Sequence, residues 1–134
     1  MNEVNLKQFY KELGRVLYSI ADADGKIRRQ EKDAVREFII KEILPFEKTA
    51  DSSGMNQSFY ALFEFEELQE KDMIADLVFL KFINYLKANQ DILTQERKKW
   101  IIESVKKVAD SFHNTNKKEA ELIDNLEVYL NSLN

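Results

Sequence analysis

The sequence predicts an all-α protein, a multi-helix bundle of about six to seven helices that forms a single domain over residues 1–134. Apolar residues recur three and four positions apart along most of the chain, which is the spacing of amphipathic helices. The sequence has only 3 Gly and 1 Pro, so we expect helices joined by short turns rather than many strands. Its length is sufficient for one hydrophobic core.

The first half of the chain predicts three helices. The first spans roughly 3–22, and the second extends through the apolar residues 43–45. It has to end at Pro45, because proline has no N–H and its ring clashes with the preceding turn. The polar segment 46–57 is interpreted as the longest loop, and a third helix rich in phenylalanine is expected near 56–68.

The second half predicts three more helices. The fourth, at about 71–88, is apolar around most of its circumference, so we expect it at the centre of the bundle. Thr94 is the expected N-cap of the fifth, and residues 113–116 form the next turn. Asn116, followed three positions later by Glu119, has the spacing of a capping box at the start of the sixth helix.

The two ends of the chain are related by a degenerate internal repeat. A shift of 88 residues places "LYSIADADGKIRRQEKDAVREF", beginning at Leu17, over "VKKVADSFHNTNKKEAELIDNL", beginning at Val105. Apolar positions and the flanking acids match, whereas Asp24 and the glycine after it have no counterpart in the second copy. The repeat predicts two related helix–turn–helix corners.

The candidate functional site lies in the first corner, "SIADADGKIRRQE". The carboxylates of Asp22, Asp24 and Glu31 could converge on one divalent cation, Ca²⁺ or Mg²⁺, because such hard cations prefer oxygen ligands. In the alternative interpretation, Glu31 only caps the second helix and the aspartates pair with neighbouring basic residues. Those neighbours are Lys26, Arg28 and Arg29.

The spacing of the corner is also similar to that of an EF-hand calcium loop. With Gly25 as the loop glycine, Asp22 and Asp24 fall on the third and fifth positions and Glu31 on the twelfth. The first position, however, is Ile20, which has no side-chain oxygen to offer a metal. A degenerate EF-hand calcium binder is therefore a further interpretation of the same residues.

The same corner resembles the signature of the TerB-like family, which includes the tellurite-resistance protein TerB and the N-terminal domain of the DjlA co-chaperone. The matching residues are Ala23, Asp24, Gly25, Ile27 and Glu31. This resemblance implies an all-helical bundle with pseudo-twofold symmetry in a bacterial protein. It also implies a non-catalytic, stress-associated binding role with an acidic metal site.

Composition argues against catalysis. Cysteine is absent, which excludes disulfides, thiolate zinc sites and a cysteine nucleophile. His113 is the only histidine and lies in a turn, with no partner motif for nucleophilic catalysis. We therefore expect no enzyme activity, no catalytic residues and no cofactor other than the candidate cation.

Charge and hydropathy restrict the partners. The net charge of −4 does not favour nucleic acid, and no apolar run is long enough for direct membrane insertion. The charged start "MNEVNLKQFYKEL" has no apolar core of a signal peptide, so we expect a cytoplasmic location. We therefore expect the chain to contact a protein partner of unknown identity, or other copies of itself in a homo-oligomer.

Two regions are candidates for that contact. The phenylalanines of the third helix could form an oligomer surface. Trp100 shares a helical face with Glu96, Glu103 and Lys107 rather than with the apolar stripe, so it is interpreted as an exposed or interface residue. The alternative is that Trp100 packs beneath the third helix.

Overall fold

The computed structural model describes residues 5–21, 27–50, 53–69, 73–112 and 117–133. Within these ranges the chain forms six α-helices and no strand, which confirms the predicted fold class. The helices are α1 (Lys7–Ala21), α2 (Arg29–Phe38), α3 (Phe59–Glu67), α4 (Ala75–Ala88), α5 (Gln95–Phe112) and α6 (Lys117–Ser132). A π-helical segment, Ile39–Ile43, extends α2, and a 3₁₀ turn, Gln90–Ile92, precedes α5.

Helix α1 occupies the centre of the bundle. It packs against α3, α4 and α5, and most of its residues are buried. Gly14 permits the closest of these approaches, because a Cβ atom there would lie 2.5 Å from the backbone oxygen of Ala61 in α3. Any larger residue at this position would push the two helices apart.

Helix α4 does not occupy the central position that its apolar composition predicted. Its inner side chains, Phe79, Phe82 and Leu86, are buried. Leu77 and Leu80, on another face, are 60% and 54% exposed. The prediction was wrong because an all-round apolar helix can have one face in the core and another on the surface.

Helices α4 and α6 run in the same direction. At their first turns the Lys118 ammonium lies 3.1 Å from the Asp76 carboxylate. At their last turns the Lys87 ammonium lies 5.8 Å from the centre of the Tyr129 ring. Helix α5, which lies between α4 and α6 in the sequence, packs against α6 and runs in the opposite direction to it.

Two predicted helix boundaries have clear physical causes. The Thr94 hydroxyl accepts a hydrogen bond of 3.1 Å from the Arg97 N–H, which confirms Thr94 as the N-cap of α5. The second helix continues to Ile43 as predicted, but its last turn widens, with the Leu44 N–H bonded to the Ile39 carbonyl. Asn116 lies outside the described residues, so the capping box at α6 stays a prediction.

The internal repeat is visible in burial. Residues 88 positions apart occupy equivalent buried sites, and none of them is more than 7% exposed. The pairs are Leu17 and Val105, Ile20 and Val108, Ala21 and Ala109, Glu31 and Glu119, Val35 and Ile123, and Phe38 and Leu126. The pseudo-twofold axis itself stays a prediction.

Candidate functional site

The predicted cation corner is described only in part. Asp22 and Asp24 lie outside the described residues, as does His113. Glu31 lies in the first turn of α2 and is 6% exposed. Within the described ranges no group of three or more acidic or histidine side chains is arranged to hold a metal ion. The convergence of the three carboxylates therefore stays a prediction.

Both corners nevertheless bury a glutamate at the same place. Glu119 lies in the first turn of α6 and is 7% exposed, matching Glu31 in α2. The helix macrodipole stabilises a carboxylate at a helix N-terminus, which lowers the cost of burying it. Arg28, the residue just before α2, has an extended backbone, and its side chain makes no capping hydrogen bond to α2.

A buried polar cluster forms where the sequence predicted only a loop. We define the Glu47 cluster as Tyr10, Glu47, Thr49 and Arg97. The Arg97 guanidinium donates from Nε to Glu47 Oε1 (3.1 Å) and from a terminal nitrogen to Oε2 (3.0 Å). The Tyr10 hydroxyl donates to Oε1, and the Thr49 hydroxyl donates to Oε2 over 2.9 Å.

Further hydrogen bonds hold the loop around this cluster. Arg97 also donates to the Ile92 carbonyl over 2.8 Å. The Asn56 side-chain amide donates to the Glu47 carbonyl over 2.7 Å, and the Leu6 N–H donates to the Gln57 side-chain oxygen. The cluster and these bonds join α1, the segment before α3 and the start of α5.

The electrostatics of the Glu47 cluster favour one charge state. Burial raises the pKa of Tyr10 well above its ordinary value, and its hydrogen bond to Glu47 raises it further. Burial also opposes the charge of Glu47, but hydrogen bonds from Arg97 and Tyr10 outweigh it and lower the pKa of Glu47. The cluster therefore holds a neutral tyrosine beside an ion pair, and the carboxylate oxygens are occupied by donors within the chain.

No sequence pattern indicated this cluster. Glu47 falls in a polar stretch, and its partners are 37 and 50 residues away in the chain. A charge on a loop is ordinarily solvated, so nothing separated Glu47 from its exposed neighbours. Its geometry suits fixing three elements together rather than binding a ligand.

Helix α4 carries an exposed seam. We define the α4 seam as Leu77, Leu80 and Asn84, which are three and four residues apart. This is the a/d spacing of a coiled coil. Ile74, 57% exposed, lies beside the seam. Exposed apolar residues scattered singly are ordinary, but several together on one helix indicate a contact surface.

Trp100 is not an exposed residue. It is 7% exposed and belongs to the hydrophobic core, so the interpretation of an exposed tryptophan was wrong. It still borders two hollows, which also share Phe46 and Glu96. Phe46, in the turn after Pro45, is 62% exposed.

The lysines of α5 and α6 mostly face partners within the chain. The Lys98 ammonium donates to the Leu133 carbonyl over 2.8 Å, and Lys106 lies 3.4 Å from the Glu127 carboxylate. Lys107 lies over the Phe38 ring at 5.9 Å. Lys98, Lys99 and Lys106 border one hollow between α5 and α6, but Glu103 and Glu127 border it too, which does not favour an anion-binding patch.

No protein-family model, curated protein or solved structure gives a match to this chain. Within the described ranges, none of the helices combines the length and the apolar character needed to cross a bilayer.

Proposed function

We propose that this chain is a non-catalytic binding domain that associates with a second copy of itself through the α4 seam. The observation that carries the proposal is the exposure of large apolar side chains on successive turns of one well-formed helix. Burying such side chains is the main driving force of protein association. Leu77 and Leu80 lie on one face of α4, so a single partner could cover both at once.

The residues beside the α4 seam favour a second copy as that partner. With Leu77 at position a and Leu80 at position d, Asp76 takes position g and Lys81 position e. In two parallel helices, residue g of one faces residue e of the other five positions later. Asp76, which lies 3.1 Å from Lys118 of its own chain, would therefore also face Lys81 of the second copy. Asn84 falls at an a position, where a polar residue fixes the register of a parallel pair.

We expect the dimer to be weak. Burying one leucine or isoleucine side chain in full contributes roughly 1.5–3 kcal/mol, and these side chains are already partly covered. Association costs on the order of 4–15 kcal/mol. The gain and the cost are of similar size, so we expect weak association, with a dissociation constant of about 1 mM.

Sedimentation equilibrium over a wide concentration range tests this proposal. We expect wild-type protein to shift from monomer to dimer, and Leu80→Glu to remain monomeric. Val128→Glu is the matched control, because Val128 is also an exposed apolar residue, on α6, with an exposed fraction of 70% against 54% for Leu80. Lys81→Glu should weaken the dimer by placing like charges together. A monomeric wild type, or equal behaviour of Leu80→Glu and Val128→Glu, would show the proposal to be wrong.

A second candidate function is cation binding at the first corner, which the TerB-like resemblance implies for Asp22, Asp24 and Glu31. The burial of Glu31 at the start of α2 supports it, since a carboxylate held there is pre-positioned beside the loop. Calorimetric titration with Ca²⁺ and Mg²⁺ tests it on wild type and on Asp22→Ala/Asp24→Ala. We expect saturable binding that the double substitution removes. If the titration of wild type gives no heat of binding, the corner is only a capped turn and this candidate function is wrong.

A further inference from the structure

Two hollows beside the start of α5 share Phe46, Glu96 and Trp100. The larger has a volume of about 430 Å³ and also borders Lys48 and the Glu47–Arg97 ion pair. We define the Trp100 cleft as the smaller hollow, of about 250 Å³, which is lined by Glu42, Phe46, Glu96, Lys99, Trp100 and Glu103. The segment Ile39–Ile43 and the turn after it form one side, and α5 forms the other.

The aromatic residues of the Trp100 cleft differ in how firmly they are fixed. Trp100 is anchored in the core and is only 7% exposed. Phe46 projects from the turn that Pro45 forces and is largely exposed. A rigid aromatic base with an exposed aromatic neighbour is typical of surfaces that hold a protruding side chain.

The charged residues around the Trp100 cleft are mainly acidic. Glu42, Glu96 and Glu103 line it together with one base, Lys99. Lys99 lies 3.9 Å from Glu103, a loose contact between two exposed side chains. Within the described part of the chain, Glu42 and Glu96 have no ion-pair partner. The cleft therefore has unneutralised negative charge next to aromatic rings.

From this combination we infer that the Trp100 cleft binds a protein segment that inserts an arginine or lysine side chain between Phe46 and α5. The aliphatic stem would cover the aromatic surface, because long basic side chains pack their methylene groups on apolar surface. The cationic head would lie near the carboxylates of Glu96 and Glu103 and would gain attraction from the face of the exposed Phe46 ring. This inference does not depend on the α4 seam.

Trp100 provides a direct measurement. It is the only tryptophan in the sequence, so the fluorescence of the intact protein reports on the cleft. The probe is an acetylated, amidated peptide of alternating glycine and arginine. We expect a saturable change in Trp100 fluorescence that weakens with added salt. The same peptide with glutamate in place of arginine should give no change.

Substitutions locate the binding. Glu96→Gln/Glu103→Gln and Phe46→Ala should each raise the dissociation constant of the arginine peptide by about tenfold. Glu121→Gln/Asp124→Asn removes two exposed carboxylates from α6 and should leave the affinity unchanged. All these side chains are exposed, so the variants should keep the wild-type melting temperature.

Three results would overturn the inference. The first is the absence of a saturable change in wild-type protein. The second is equal affinity for the arginine peptide in the cleft variants and in the α6 control, which would indicate diffuse attraction to an acidic protein. The third is an equally strong response to spermidine, which would assign the cleft to small polyamines rather than to a protein segment.

Discussion

The Glu47 cluster and the α4 seam are opposite departures from the ordinary distribution of side chains. Glu47 is a carboxylate inside the protein, and Leu77 is an apolar side chain outside it. The carboxylate is matched within the chain by donors from Tyr10, Thr49 and Arg97. The leucine has no comparable cover. A buried charge whose partners all lie within the chain has a structural role. An exposed apolar side chain that lacks such cover points to a partner.

The largest expected effect comes from removing the positive charge of the Glu47 cluster. Arg97→Ala leaves a buried carboxylate without its counter-ion, so we expect the free energy of unfolding to fall by about 3–5 kcal/mol. Urea denaturation measures this loss. Arg36→Ala breaks an exposed ion pair with Glu66 and should have little effect. If both variants lose a similar free energy of unfolding, burial of the Arg97–Glu47 ion pair does not make it more important than the exposed Arg36–Glu66 pair.

A smaller effect is expected from removing one neutral donor. Tyr10→Phe keeps the ring but deletes the hydroxyl that donates to Glu47. The carboxylate keeps its bonds to Arg97 and Thr49, so we expect a loss of about 1–2 kcal/mol. Chemical denaturation should give the same transition slope as wild type. A loss as large as that of Arg97→Ala would indicate that the hydroxyl, rather than the ion pair, dominates.

The pH dependence of stability distinguishes the contribution of Glu47 from that of Tyr10. The lowered pKa of Glu47 contributes stability that is present above the ordinary glutamate pKa and is lost as pH falls through the folded-state value. The raised pKa of Tyr10 contributes stability that is complete below its ordinary value of 10.0 and is lost as pH rises above it.

Melting temperatures across the pH range test both directions. Glu47→Gln should be less stable than wild type near neutral pH, and the difference should shrink under acid conditions. Tyr10→Phe should lose less stability than wild type above about pH 10. Parallel curves for wild type and either variant would contradict the corresponding assignment.

The smallest effect on the monomer is expected at the α4 seam. Leu80→Gln replaces a side chain that is more than half exposed, so we expect its monomer stability to change by less than about 0.5 kcal/mol. Denaturation at protein concentrations far below the dimer range measures this. A large loss would mean that Leu80 packs within its own chain, and the contrast with Glu47 would disappear.

The sequence was sufficient for the fold class and for local features. Helical spacing predicted the helices, and a single hydroxyl at Thr94 predicted where α5 begins. The repeat predicted which positions would be equally buried, such as Leu17 and Val105. These features depend on neighbours within a turn or two, or on apolar periodicity, and both can be read along the chain.

The sequence failed where distant residues decide the outcome. Nothing near Glu47 indicates that Tyr10 and Arg97 will surround it. The position of α4 depended on which of its apolar faces packs into the core, and the burial of Trp100 depended on how α5 packs against the other helices. The candidate cation site was predicted from local spacing, but two of its three carboxylates fall outside the described residues.

The hydrogen bonds around Glu47 also bear on proteolysis. Lys48 is exposed, in a segment that sequence alone would mark as easily cut. A protease needs a stretch of extended, detached backbone. Glu47, however, is held by Tyr10 of α1 and Arg97 of α5. Thr49, on the other side of Lys48, donates to the Glu47 carboxylate and accepts from the Gln57 N–H. Trypsin should therefore cleave after Lys48 only when this segment transiently opens, and its cutting rate there would report how often Glu47 leaves Arg97.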